Sequence, residues 1–153
     1  MMKREPATSE LVPGAAMISD LKTLRILWRE AFQAFGYDES HCEALFFDLH
    51  IQTRVLRLND AIVGVSMYRR TDYSVELIAL LVAEKYRRQR VGHRLLEALI
   101  SESIQRQLKF IKLHTAVQNV VARSFFEAHG FRVEQEDGQY PRGQRAIAYH
   151  RLL

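Results

Sequence analysis

The stretch that most constrains this chain is Val82 to Ile100, VAEKYRRQRVGHRLLEALI, which follows the apolar run YSVELIALLV. The turn holds Arg87, Arg88, Gln89 and Arg90, and after Gly92 come apolar residues at Leu95, Leu96, Leu99 and Ile100. That order predicts a strand, a tight turn and an amphipathic helix. The first N–H groups of a helix have no intrahelical acceptor, and the helix dipole puts partial positive charge beside them. Arg87, Arg88, Arg90 and Arg94 add full charges around the same point. The pattern suits a phosphate-bearing ligand; read plainly, it is also how a solvated basic helix start looks.

Within this stretch YRRQRVGHRLLEAL resembles the acetyl-CoA pyrophosphate loop of the GCN5-related N-acetyltransferases (GNAT), Arg/Gln-x-x-Gly-x-Gly/Ala. Arg87 takes its first position and Gly92 its last. Arg90 stands where the middle glycine usually lies, a place it can fill with a negative φ. A second segment, NVVARSFFEAHGF, resembles the family's Asn-x-x-Ala-x-x-Phe-Tyr-x-x-x-Gly-Phe, matching at Asn119, Ala122, Phe125, Gly130 and Phe131. The resemblance spans roughly residues 60 to 150. It implies an α/β (α+β) fold in which about four helices flank a mixed, mostly antiparallel central sheet. It also implies acetyl-CoA as co-substrate, held by Leu80, Val82, Arg87, Arg88, Arg90, Gly92, His93, Asn119 and Phe126.

The rest of the chain is consistent with that fold. Pro6, Pro13 and Gly14 punctuate residues 1–16, which read as an edge strand or a flexible arm. Ser19 or Asp20 is placed to cap a helix to about Phe35, burying Leu21, Leu24, Ile26, Leu27, Ala31 and Phe35; Gly36 ends it. Asp38 or Ser40 then starts a second helix through Cys42, Leu45, Phe46 and Leu49. The aromatic cluster Trp28, Phe32, Phe35, Phe46 and Phe47 is expected to be mostly core, with one or two rings left for an acceptor pocket. TRVLRL and AIVGVSMYRR form a hairpin about Asn59-Asp60, and Thr71-Asp72 turns the chain into Tyr73–Ala83. After the central helix follow a strand (KFIKLHTAV), a short helix (Val120 to His129) and two strands (FRVEQE, QRAIAYHRL). Gly138, Pro141 and Gly143 mark the loop between the last two.

Length and charge narrow the functions. With 153 residues the chain is expected to be a single N-acetyltransferase domain over 1–153. No apolar run is long enough for a membrane span and no signal sequence is read, so a cytoplasmic setting is expected. A lone cysteine, Cys42, and the absence of zinc spacing argue against a metal. The net charge of +4 would suit a polyanion, but the basic turn already accounts for much of it, leaving nucleic acid as the weaker use. The expected partner is an amine-bearing acceptor, peptide or small molecule; self-association into a homodimer is compatible with the sequence.

For catalysis the resemblance implies direct attack of an amine on the thioester, with a base, an oxyanion donor and an acid near the sulfur. The family's acid is often the tyrosine of the second motif, here Phe126, which has no proton to give; a thiolate of pKa about 8.5 can leave unassisted. Glu76, eleven residues before Arg87, takes the place of a base glutamate or water-binding residue. His114, five before Asn119, takes the place of a histidine that works through an ordered water in some protein N-terminal acetyltransferases. An imidazole accepts a proton at neutral pH without large tuning. Both residues also suit a plain solvent-facing strand position. Tyr140-Pro141 resembles those enzymes' substrate-binding hairpin and completes the candidate catalytic set of Glu76, His114 and Tyr140. His93 is placed to lend an N–H to phosphate, and His129 to act as a helix C-terminal cation.

The leading expectation is therefore an acetyl-CoA-dependent N-acetyltransferase whose acceptor is a protein N-terminus, a lysine or a small amine. A non-catalytic acyl-CoA-binding module is the alternative, and an RNA-binding basic protein the third reading.

Overall fold

Asn59 and Asp60 both adopt left-handed backbone (φ 50° and 66°) and close a tight hairpin between strands β2 (Ile51–Leu58) and β3 (Ala61–Arg70). Such a turn matches the right-handed twist of its two strands, which is why an Asn-Asp pair serves here. The computed structural model describes residues 11–153, so most of the expected arm at 1–16 lies outside the described residues. Its last part, β1 (Gly14–Ala15), pairs at the sheet edge with Val55 and Arg54 of β2.

Strand β4 (Ser74–Val82) runs antiparallel to β3, then helix α3 (Val91–Gln105) carries the chain over to β5 (Phe110–Ala116), parallel to β4. Helix α4 (Val120–Ala128) and the hairpin of β6 (Arg132–Gln139) and β7 (Arg145–Leu152) follow. All seven strands join one sheet in the order β1-β2-β3-β4-β5-β7-β6, antiparallel except at β4–β5. Helices α1 (Leu21–Phe32) and α2 (Glu39–Phe47) complete the mixed architecture that the sequence implies.

Two packed layers result. Leu96, Leu99, Ile111, Leu113, Phe126, Phe131 and Tyr149 fill the space between the sheet and α3 and α4. Leu24, Leu27, Trp28 and Cys42 of α1 and α2 pack on Val55, Val65, Met67, Ala79 and Leu81. Strand β4 serves both layers because it carries a bulge. Met67 pairs with Ala79 but Tyr68 pairs with Leu77, so Ile78 is the extra residue. One extra residue reverses the side-chain alternation. Val75 and Leu77 therefore join the first layer, whereas Ala79 and Leu81 join the second.

The helical segment differs from expectation at its start and at two apolar positions. Asp20 stands at the N-cap of α1 but makes no side-chain cap hydrogen bond there, and Ser19 is not the cap: a short 3-10 turn from Ile18 precedes the helix, and the Asp20 carboxylate accepts a hydrogen bond from the Met17 N–H at 2.7 Å. The same buried carboxylate pairs with Arg57 at 2.5 Å, which holds its pKa below the usual aspartate range. Ile26 is 44% exposed and Leu49, past the end of α2, is 94% exposed. Periodicity marks apolar positions, but burial needs a neighbour, and no described element covers these two. Gly138, expected in the final loop, lies within β6 at a register shift with φ 80°.

Candidate active site

The bulge at Ile78 also ends the pairing of β4 with β5. Their register runs from Ser74↔Phe110 to Leu77↔Leu113 and stops, although both strands continue. Beyond that point the backbone amides of β4 on the β5 side have no strand partner. The strands part, and three connected hollows occupy the gap and its two mouths.

On one side lies a cleft of about 750 Å3. All nine residues expected to hold acetyl-CoA line it: Leu80, Val82, Arg87, Arg88, Arg90, Gly92, His93, Asn119 and Phe126. The first intrahelical bond of α3 is Arg94 N–H to Arg90 O at 3.0 Å, so the N–H groups of Val91, Gly92 and His93 precede it without helical acceptors. Arg90 is the N-cap and supplies no side-chain cap. Its φ is +64° and that of Arg88 is +63°, so Arg90 stands in the glycine's place without the negative φ that would suit it, in the left-handed region that favours glycine. The turn must reverse sharply into the helix, and that demand overrides the residue's preference at a cost of roughly 1–2 kcal/mol. Left-handed turns of this kind gather backbone N–H groups into an anion site. An uncapped helix start, a left-handed turn and three guanidinium groups thus fit a pyrophosphate.

Through the parted strands runs a throat of about 120 Å3, lined by Leu77, Ile78, Leu80, His114, Asn119, Phe126 and Tyr140 among others. Leu80, Asn119 and Phe126 belong also to the cleft, whereas His114, Ile78 and Tyr140 belong also to a hollow of about 450 Å3 beyond. Phe126, at the motif's tyrosine position, is 8% exposed and offers no proton.

The far hollow is walled by Trp28, Phe32, Tyr37, His41, Glu76, His114, Asp137 and Tyr140 among others. Glu76 and His114 therefore share one face of the sheet, but each has its own partner. Glu76 lies 3.7 Å from the Lys112 ammonium. His114 Nε2 lies 2.8 Å from Asp137 Oδ2. Sequence reasoning missed Asp137: it sits in a strand exposed throughout and carries no motif.

Tyr140 is positioned by the end of the first helical segment. Gly36 terminates that segment with φ 93°, and a Cβ there would meet the Pro141 Cβ at 2.8 Å. Its missing side chain lets the β6–β7 loop dock, with Arg142 N–H donating to Phe35 O and the Gln144 amide to Ala34 O. The Tyr140 ring then packs 5.0 Å from Phe35 and 5.9 Å from Tyr37. Burial, with Tyr37 adding to it, pushes the Tyr140 phenol up to about 12, so it stays protonated at neutral pH. Its hydroxyl has no hydrogen-bond partner among the described residues.

Comparison with known proteins gives the same picture. The family model described as the acetyltransferase (GNAT) family matches residues 21–131. No curated protein matches the chain. Ard1 from Thermoplasma volcanium superposes with a TM-score of 0.83 at 16% identity, over 94% of this chain and 97% of that one. The ribosomal-protein-S18-alanine N-acetyltransferase from Escherichia coli gives 0.77 at 21% identity, over 93% of each chain. A PaiA N-acetyltransferase from Thermoplasma acidophilum, solved in complex with coenzyme A, gives 0.74 at 20% identity, over 94% of this chain and 99% of that one. At such identities the likeness is one of fold.

Proposed function

This chain belongs to the acetyltransferase (GNAT) family, and on that premise we propose that it moves the acetyl group of acetyl-CoA onto a primary amine, with a protein N-terminus as the leading acceptor. The observation that carries this reading is the throat: it joins a phosphate-adapted cleft to a hollow where a base and an acid candidate meet. Acetyl-CoA supplies the activated thioester; the remaining roles fall to the chain's own residues.

Arg87, Arg88, Arg90 and the free N–H groups of α3 hold the pyrophosphate, and Leu80, Val82 and Asn119 flank the path to the throat. The Asp137 carboxylate accepts from His114 Nε2–H, which leaves the neutral imidazole its lone pair on Nδ1. His114 thus takes the acceptor's ammonium proton, directly or through one water. Glu76 and Asp137 make the hollow acidic enough to hold an ammonium group. Unpaired amides of β4 beyond Leu77 face the developing oxyanion. Tyr140, protonated and sharing the throat with Phe126, supplies the proton that the motif tyrosine would have given.

A protein N-terminus leads because the hollow is broad and rimmed by Tyr37, His41 and Tyr140, room for an extended peptide end; a lysine or a small amine is the next choice. A single domain over residues 1–153 belongs to the same proposal, supported by every described strand joining one sheet. No described helix is long and apolar enough to cross a membrane, and a cytoplasmic setting is the one proposed. Phe126 favours a second reading, a non-catalytic acyl-CoA-binding module. Free-thiol release from acetyl-CoA, measured across a panel of peptides and small amines, separates the two: amine-dependent release supports transfer, and binding without release supports the module.

A further inference from the structure

At the outer lip of the cleft, His93, Glu97 and His129 each present one ligand atom, and these atoms lie within 4.8 Å of one another. His93 and Glu97 are four residues apart on α3, hence on one face of it, and His129 is the C-cap of α4. The two imidazoles meet at 2.8 Å, His93 Nδ1 to His129 Nε2. On its other side His129 Nδ1 lies 2.8 Å from the carbonyl oxygen of Phe125. A carbonyl only accepts, so Nδ1 carries the hydrogen, and in the neutral ring the lone pair sits on Nε2, directed at His93. A histidine whose far N–H is tied to a backbone carbonyl, with its lone-pair nitrogen facing two further ligand atoms, has the arrangement typical of metal-binding imidazoles; without an ion that nitrogen accepts from His93 Nδ1–H, and metal binding moves this hydrogen to His93 Nε2.

We propose that His93, Glu97 and His129 form a site for a divalent metal ion of the zinc class. Two imidazole nitrogens and a carboxylate suit zinc, whereas calcium and magnesium prefer all-oxygen shells. Zinc binds such atoms at about 2.0–2.1 Å, which in a tetrahedron sets them about 3.3 Å apart. The imidazole nitrogens then part by about half an ångström, and the exposed Glu97 side chain swings in by at most about 1.5 Å. Three protein ligands leave a fourth position for water or an anion. Arg90 and Arg94 stand close to His93 and oppose a cation; the Glu97 carboxylate offsets them. Because His93 and His129 also wall the cleft, the ion ties the start of α3 to the end of α4 beside the phosphate-adapted turn.

The sequence gives no sign of this site, since its ligands come from two segments 36 residues apart with no zinc spacing. The test is equilibrium dialysis of the full chain against Zn2+, with bound metal counted by elemental analysis, on wild type, Glu97→Gln and His129→Asn. Wild type should hold one equivalent, and each variant should bind at least about tenfold more weakly, in the range seen when metal-site residues are altered. Co2+ should give wild type the strong visible absorption of a four-coordinate ion, and His129→Asn should lose it. Glu97→Gln changes an exposed side chain, so its unchanged melting curve guards against misreading an unfolded protein. Absence of stoichiometric metal in wild type, or equal binding by all three proteins, overturns the proposal.

Discussion

His114 Nε2 and Asp137 Oδ2 meet at 2.8 Å although 23 residues separate them and β7 runs between their strands. They close above β7 because it presents Ala148 opposite His114, with Ala146 lining the same hollow. Methyl groups are short enough for the pair to reach across them. If Asp137 orients the imidazole, Asp137→Asn should lower kcat about 10- to 100-fold and leave acetyl-CoA binding unchanged. Added to His114→Ala it should cost little more, since both act on one proton. Glu76→Gln should cost less than Asp137→Asn, because Glu76 is paired with Lys112. Steady-state rates with separate acetyl-CoA titrations check all three; a neutral Asp137→Asn removes the positioning role.

Tyr140 gives a pH prediction of definite sign. Its phenol is raised to about 12 in the folded chain against about 10 unfolded, so the folded state holds its proton longer. The stability from this difference is fully present below about pH 10 and is lost as pH rises toward 12. Melting temperature should therefore fall across that window, and Tyr140→Phe should flatten the fall. The same variant should lower kcat at neutral pH by about 10²- to 10⁴-fold if the phenol is the acid. An unchanged kcat assigns Tyr140 to packing alone.

Gly36→Ala tests how the hairpin is seated. A methyl at φ 93° is strained and meets Pro141 at 2.8 Å, so the variant should lose about 1–3 kcal/mol of stability. It should also lower kcat through displacement of Tyr140, although residue 36 lines none of the three hollows. Thermal melts and kinetics with one acceptor read both effects. Loss of stability with full activity would show that the loop docks without serving the site.

Arg90→Gly separates strain from charge. Glycine relieves the left-handed strain of about 1–2 kcal/mol but adds about 0.5–1 kcal/mol of unfolded-chain entropy, so stability should rise by no more than about 1.5 kcal/mol. Loss of a guanidinium from the cleft should weaken acetyl-CoA binding several-fold, more at low salt than at high. Calorimetric titration at two ionic strengths checks it; tighter binding by the variant would mean that Arg90 obstructs the loop.

Much of the fold was legible because its signals are local. The Asn59-Asp60 turn, the Leu95-Leu96-Leu99-Ile100 stripe and the cap at Asp38 each depend on residues a few positions apart. The cleft was legible for the same reason, since two contiguous segments build most of it. What the sequence hid is non-local. The bulge at Ile78 disappears in a run that is apolar throughout, so no alternation shows where the strand reverses its faces. Asp137 meets His114 only when β7 lies between β5 and β6. The φ of Arg90 was left open by the sequence because its conformation is imposed by the turn rather than chosen by the residue.

The most direct measurement of the central claim follows a peptide with a free N-terminus incubated with acetyl-CoA, reading acetylated peptide and released CoA together by mass spectrometry. Wild type should place one acetyl group on the α-amine and release CoA in equal amount. His114→Ala should slow this by about 10²- to 10⁴-fold while acetyl-CoA still raises its melting temperature. Stabilisation of wild type by acetyl-CoA without acetylation of any peptide, lysine or small amine would contradict transfer and leave a binding module, and a full rate in His114→Ala would remove the base assigned here.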